Sequence, residues 1–288
     1  MRLLLLAGVI PLVLSAKAIK VDELLTEKNK IQSDVSISYI NTQRNSGDVG
    51  LIEYQSVNGD FVSVPTYLGS VESQSDRLMY SLALRYGISK DLEIFGFGNF
   101  YSSTERTLSA SGTASHNDSG FSSCGAGWVY QIRKEDDYPA VLIGGTLDLI
   151  EHDEMLKKDF YLKSGSVFVS SYYTSDPVVF FLKASYGHNG SHANKTHSLE
   201  AGNVFSLTPQ IYFAVNPYMS LNWGARYQYK QKDTYDGNAI STNQSQLGWL
   251  FGASYELNAK SVISADMDKS ETSTYSQNTF TLNYSYKF

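Results

Sequence analysis

Apolar and polar side chains alternate along most of this chain with a period of two, in runs separated by polar or glycine-containing breaks. In 218–230, Met219, Leu221, Trp223, Ala225, Tyr227 and Tyr229 fall on one parity, and Ser220, Asn222, Arg226, Gln228 and Lys230 on the other. In 243–256, Leu247, Trp249, Phe251, Ala253 and Tyr255 oppose Gln246, Gly248, Gly252, Ser254 and Glu256. Leu78, Tyr80, Leu82, Leu84 and Tyr86 likewise oppose Arg77, Ser81 and Arg85. Successive side chains of a strand point to opposite faces, so each run predicts a β-strand with one apolar and one polar face. Counted back from the C-terminus, twelve strands emerge: 276–288, 260–271, 243–256, 218–230, 199–213, 178–188, 160–173, 140–151, 119–131, 91–103, 75–87 and 33–43. An additional hairpin from 49–57 and 61–68 would raise the count by two.

The last strand carries the strongest signal. Phe280, Leu282, Tyr284, Tyr286 and Phe288 alternate with Thr281, Asn283, Ser285 and Lys287, and the chain stops on the aromatic. This segment resembles the closing strand of bacterial outer-membrane β-barrels, which the barrel-assembly machinery recognises. The competing reading is an edge of a soluble β-sandwich. Globular strands average five or six residues, whereas most of these runs reach the roughly 9–11 residues that cross a bilayer at a tilt. The connections point the same way. Those at 88–90, 174–177, 214–217 and 257–259 are tight; those at 44–74, 104–118, 189–198 and 231–242 are longer and rich in Ser, Gly, Asn and Thr. Short periplasmic turns alternating with long external loops are the habit of such barrels, and an even strand count puts both termini in the periplasm.

The N-terminus supplies an address. Arg2, an apolar run from Leu3 to Leu14 and then Ser15-Ala16-Lys17-Ala18 have the layout of a secretory signal peptide, predicting cleavage after Ala18. Residues 19–32 follow, and IKVDELLTEKNKI places Val21, Leu24, Leu25 and Lys28 at helical spacing. This short N-terminal helix has three alternative locations: within the lumen as a plug, on the periplasmic membrane surface, or as a lead-in to the barrel. The domain plan is therefore a signal peptide (1–18), a helical segment (19–32) and a transmembrane antiparallel up-and-down all-β barrel (33–288), located in the outer membrane of a Gram-negative bacterium.

Composition narrows the function. Hydrophobic residues make up 42% and 21 residues are Tyr, yet mean hydropathy is −0.24, as expected when apolar residues occupy every second position rather than long core segments. The formal charge of −6 comes without a basic patch, which excludes nucleic acid as the expected partner. The single Cys124 offers no intramolecular disulfide.

Lipid penalises Arg or Lys at the midplane by about 2–4 kcal/mol, so the charged parity must face the lumen. That assigns Arg77, Arg85, Lys163, Lys183, Arg226, Lys230 and Lys287 as inward cations, and Asp34, Glu93, Asp148, Glu200, Glu256, Asp266 and Asp268 as inward anions. A turn centred on Ser89 would bring Arg85 and Glu93 into an ion pair. Phe95, Phe97, Val167, Val169, Val179 and Phe181 are apolar positions on the inward parity, which fits either a path for an apolar or aromatic solute or packing against a plug.

Catalytic readings are weak. His188, Ser191, His192, His197 and Glu200 cluster in YGHNGSHANKTHSLE, but the His-x-Ser-Asn arrangement of outer-membrane phospholipases is broken. A serine nucleophile needs a base in hydrogen-bond reach and a group orienting that base. No spacing supports a metal site, and no glycine motif implies a cofactor; no enzyme activity is expected.

The hairpin 82–100, LALRYGISKDLEIFGFGNF, resembles the early hairpin of the phenol-degradation meta-pathway transporter-like family, with Arg85, Tyr86, Gly87, Leu92 and Glu93 as matching positions. The resemblance implies an outer-membrane barrel of about this length. The expectation is a passive channel for small solutes, aromatic or apolar, with outer-membrane lipid and the assembly machinery as partners. The alternative is a non-transporting surface barrel whose loops bind a partner. An autotransporter translocation unit is set aside, because so few residues precede the first strand.

Overall fold

The computed structural model describes residues 25–44, 48–55, 61–68, 73–109, 112–154, 156–271 and 275–288. Twelve antiparallel strands form the wall: β1 Ile31–Arg44, β2 Ser73–Gly87, β3 Leu92–Ser109, β4 Gly112–Arg133, β5 Ala140–Asp153, β6 Ser164–Ser175, β7 Val178–Asn189, β8 Val204–Asn216, β9 Met219–Lys230, β10 Gln244–Asn258, β11 Ser261–Glu271 and β12 Tyr275–Lys287. Each pairs with its neighbours in sequence, and β1 pairs with β12, so the sheet closes on itself. Closure removes the unpaired edges that hydrocarbon cannot tolerate. Among the described residues no helix is long and apolar enough to cross a membrane; the crossing is made by strands.

The pleat explains the alternation. On β2, Leu78, Tyr80, Leu82, Leu84 and Tyr86 are exposed on the outer face, while Arg77, Met79, Ser81 and Ala83 are buried. Trp223 and Trp249 stack outside, with centroids 6.2 Å apart and planes within 1°. So much exposed apolar surface would be a liability in water and is what a lipid-facing wall requires.

The tight turns are fixed locally. Asn216 Oδ1 accepts the N–H groups of Tyr218 and Met219 at 2.8 and 2.9 Å, and Asn258 Oδ1 accepts that of Lys260 at 2.9 Å, the self-bonding that suits Asn to turns. The opposite end carries the long connections. A hairpin of Asp48–Gln55 and Phe61–Leu68 forms a separate sheet outside the barrel, and a four-stranded sheet joins the β7–β8 connection to the β9–β10 connection.

Three expectations need correction. Residues 160–173 are not one strand: Lys158–Tyr161 pairs with the end of β5, Leu162 turns at φ 55°, and β6 starts at Ser164. Residues 199–213 are likewise split, because Ser198–Glu200 belongs to the external sheet and β8 begins at Val204. Of the proposed helix 19–32, residues 19–24 lie outside the described residues, as does the signal segment; 25–30 are not helical, and Ile31 and Gln32 already belong to β1.

Candidate solute path

The inner face has two chemically different walls. From β3 to β8 its lower part is apolar: Phe95, Val129, Ala140, Leu142, Tyr172 and Val179 form one buried cluster, with Phe97, Phe168, Phe181 and Tyr212 packed against it. These side chains lie within a few residues of the tight turns, so the apolar layer sits at the periplasmic end. The rings need room. An ideal Cβ on Gly127 would lie 2.3 Å from Phe95 Cζ, and one on Gly144 would lie 2.4 Å from Phe168 Cζ. Those glycines let the aromatics lie back against the wall. Phe181 and Tyr212 meet edge to face at 6.2 Å.

The remaining wall, β9 to β12 with β1 and β2, is polar. Ser220, Asn222, Arg226, Asp268, Asp266, Thr281, Asn283, Asp34, Ser36, Ser81 and Arg85 occupy its inward parity. Its cations are matched. Arg226 Nη2 is 2.6 Å from Asp268 Oδ2; Lys230 Nζ is 2.7 Å from Asp233 at the rim; Arg85 donates to Glu93 Oε1 from Nε at 2.8 Å and from Nη2 at 2.6 Å. The Arg85–Glu93 pair thus forms, but diagonally: the register sets Glu93 opposite Gly87 and Arg85 opposite Phe95. On the aromatic wall, the ammonium of Lys183 lies 4.3 Å from the centroid of Phe168, a cation–π contact.

At the periplasmic end the segment leading into β1 runs inside the barrel. The N–H of Thr26 donates to Glu93 Oε2 at 2.6 Å, and Leu25 packs on the apolar cluster. Asn29 N–H donates to the Gly87 carbonyl at 2.7 Å. A Cβ at Gly87 would come within 2.3 Å of the Thr26 carbonyl oxygen, so only glycine admits this approach.

Arg77, Arg85, Glu93, Phe95, Phe97, Asp148, Phe181, Lys183, Arg226, Lys230 and Glu256 all occupy inward positions. Lys163 does not: it precedes β6 and is exposed. Val167 and Val169 face outward, at 59% and 44% exposure, and Phe168, Ser170 and Tyr172 point inward instead. The break at Leu162 shifted the parity of that strand by one, which reverses every side chain. Glu200 is exposed on the external sheet.

Sequence reading also missed Glu151 and Asp153. An irregularity in β5 steps the pairing from Asp148 to Ile150, and the extra residue turns Glu151 and Asp153 inward after Asp148. The histidines have separate partners: His188 Nδ1 is 3.0 Å from Asn203 Oδ1, His197 Nδ1 is 3.0 Å from Asp236 Oδ2, and His192 Nδ1 is 2.7 Å from Asp153 Oδ2. Ser191 Oγ lies 3.1 Å from Ser198 Oγ. Among the described residues no group of three or more His, Cys, Asp or Glu has the geometry to hold a metal.

A closed twelve-stranded barrel with an apolar exterior and a polar, ion-paired lumen is a transmembrane β-barrel. Residues 134–288 match the family model described as the outer membrane protein beta-barrel domain, and with more than half of the chain matched, the protein belongs to that family. It is a protein of the Gram-negative outer membrane. No curated protein matches the sequence. Among solved structures, the chain is similar to an outer-membrane channel from Pseudomonas putida F1 (TM-score 0.59, 11% identity, 98% of this chain and 100% of that one). It is also similar to the transport unit of the autotransporter AIDA-I from Escherichia coli (TM-score 0.53, 10% identity, 91% of each chain). A third similar structure is the CymD monoaromatic hydrocarbon channel (TM-score 0.50, 9% identity, 91% of this chain and 89% of that one). At these identities the likeness defines the fold.

Proposed function

We propose that the protein is a passive outer-membrane channel for small solutes with an aromatic or apolar body. The observation that carries this reading is the two-walled lumen. An aromatic face formed by Phe95, Phe97, Phe168 and Phe181 stands across from a face of hydroxyls, amides and matched charges. A water-filled pore for ions gains nothing from an apolar layer, whereas an apolar solute slides along one without stripping water from the opposite wall. The name of the CymD channel is consistent with such cargo. With no energy-coupling motif in the chain, flux follows the solute gradient. The segment 19–30 restricts the inner opening, through Leu25 and the tie between Thr26 and Glu93. The C-terminal strand ending in Phe288 is the signal read by the assembly machinery.

Single-channel recording in a planar bilayer tests the reading. The signal-free protein is expected to give small ohmic steps, and deletion of 19–30 to enlarge them. A silent barrel in both forms would refute a channel. Phe97→Ala together with Phe181→Ala is expected to slow uptake of aromatic solutes with little effect on conductance; unchanged uptake would remove the aromatic path. One observation favours the surface-binding alternative: β3 and β4 run to 18 and 22 residues, far longer than a bilayer crossing needs. Deleting the tip of that hairpin would abolish partner binding on that reading and leave conductance intact.

A further inference from the structure

The external connection from β5 to β6 does not stay at the rim. Glu154, the first residue after β5, meets Arg77 of β2 in a bidentate pair, Nη1 to Oε1 and Nη2 to Oε2, both at 2.8 Å. Strands β3 and β4 separate β2 from β5 around the wall, so this pair closes across the mouth rather than along the sheet. Arg77 is 2% exposed, and its guanidinium lies 4.8 Å from the centroid of Tyr101. The Tyr101 hydroxyl donates to Asp118 at 3.1 Å, and Lys157 of the same connection donates to Asp118 at 2.9 Å.

Further along, buried Phe160 stacks on His192 of the β7–β8 connection, at 4.3 Å and 3°. His192 in turn sits between Asp153 at 2.7 Å and Glu151 at 3.3 Å. Three contacts to three different elements therefore hold one loop. Taking an Arg and a carboxylate out of water costs several kcal/mol per ion, recovered only with good geometry and further hydrogen bonds. A loop that merely joined two strands would leave those charges solvated, as the exposed Lys163 is.

We propose that the β5–β6 connection is the outer gate of the barrel, latched inside the mouth by Arg77–Glu154, and that solutes arriving from outside pass between it and the opposite polar wall. The latch restrains the gate against outward swinging, and its position sets the widest solute admitted. This extends the channel reading for its effect on flux, but the position of the loop is testable without any flux.

Ser123 is inward, 5% exposed and opposite Glu151 in the β4–β5 register, at the foot of the connection. A full-length Cys124→Ser, Ser123→Cys protein would be labelled in intact cells with a membrane-impermeant maleimide. Adding Glu154→Gln is expected to speed labelling by about tenfold or more, the effect of losing a charge-assisted hydrogen bond. Glu154→Asp, which keeps the carboxylate, is expected to stay close to the parent rate. Heat-modifiable gel mobility verifies that each variant is folded. Equal rates in the parent and Glu154→Gln would overturn the proposal, as would Glu154→Asp labelling as fast as Glu154→Gln. Either result leaves the conductance test of the channel untouched, so the two failures are distinguishable.

Discussion

Gly127 and Gly144 shape the path as much as the aromatics do. Each lies beneath a ring on the neighbouring strand, Phe95 and Phe168 respectively, with no space for a Cβ. Gly127→Ala must push Phe95 towards the lumen or distort the wall. The expected outcome is a smaller single-channel conductance with a stability loss of about 1–3 kcal/mol, the usual cost of overpacking; urea unfolding followed by gel mobility measures the second. At this scale the sequence was partly legible. Phe95, Phe97 and Phe181 were readable as inward apolar residues because β3 and β7 keep a strict alternation. Their glycine partners were not, since nothing local says which glycine faces which ring.

Among the elements, the external connections behave least like their sequences. The β7–β8 connection reads as a solvated polar loop, yet His192 is only 3% exposed. Burial pulls the imidazole pKa down, but the hydrogen bonds to Asp153 and Glu151 and their charges outweigh it, and the value rises to about 9 from 6.5. Phe160 covers the ring face, and the ammonium of Lys158 lies 5.2 Å from the Phe160 centroid. A folded pKa above the unfolded one means the tie is fully present below about pH 6.5 and is lost as pH rises through about 9. Protease sensitivity of the external loops in intact membranes is therefore expected to increase between pH 7 and 10. In His192→Gln it is expected to be high and independent of pH over that range; a wild-type profile that stays flat would refute the tie. The strands themselves were legible almost to the residue where alternation ran unbroken, as in β2, β9 and β10. They were misjudged at Leu162 and in β5, where one unpaired residue inverts all that follows.

For the whole molecule, closure is the decisive fact. Thirteen consecutive pairings join β1 to β12, from Gln32 opposite Lys287 to Arg44 opposite Tyr275, and Phe288 N–H donates to the Ile31 carbonyl at 2.9 Å. The terminal aromatic thus lies at the seam, on the periplasmic rim. Deleting Phe288 is expected to lower the amount of heat-modifiable, membrane-inserted protein in cells while the purified chain still refolds in detergent. Equal insertion in cells would show that the terminal residue is not an assembly signal.

The alternation of side chains was enough to specify an all-β barrel, its strand count, its outer and inner faces and its orientation, because each of those follows from a period of two and from the lengths of the connections between runs. Where the inside is apolar, which loops turn inwards and which charges find one another depend on contacts between residues far apart in the chain. Glu154 lies 77 positions from Arg77 and Thr26 lies 67 from Glu93. No local pattern encodes such pairs; they exist only once the wall has closed and brought its strands around a common lumen.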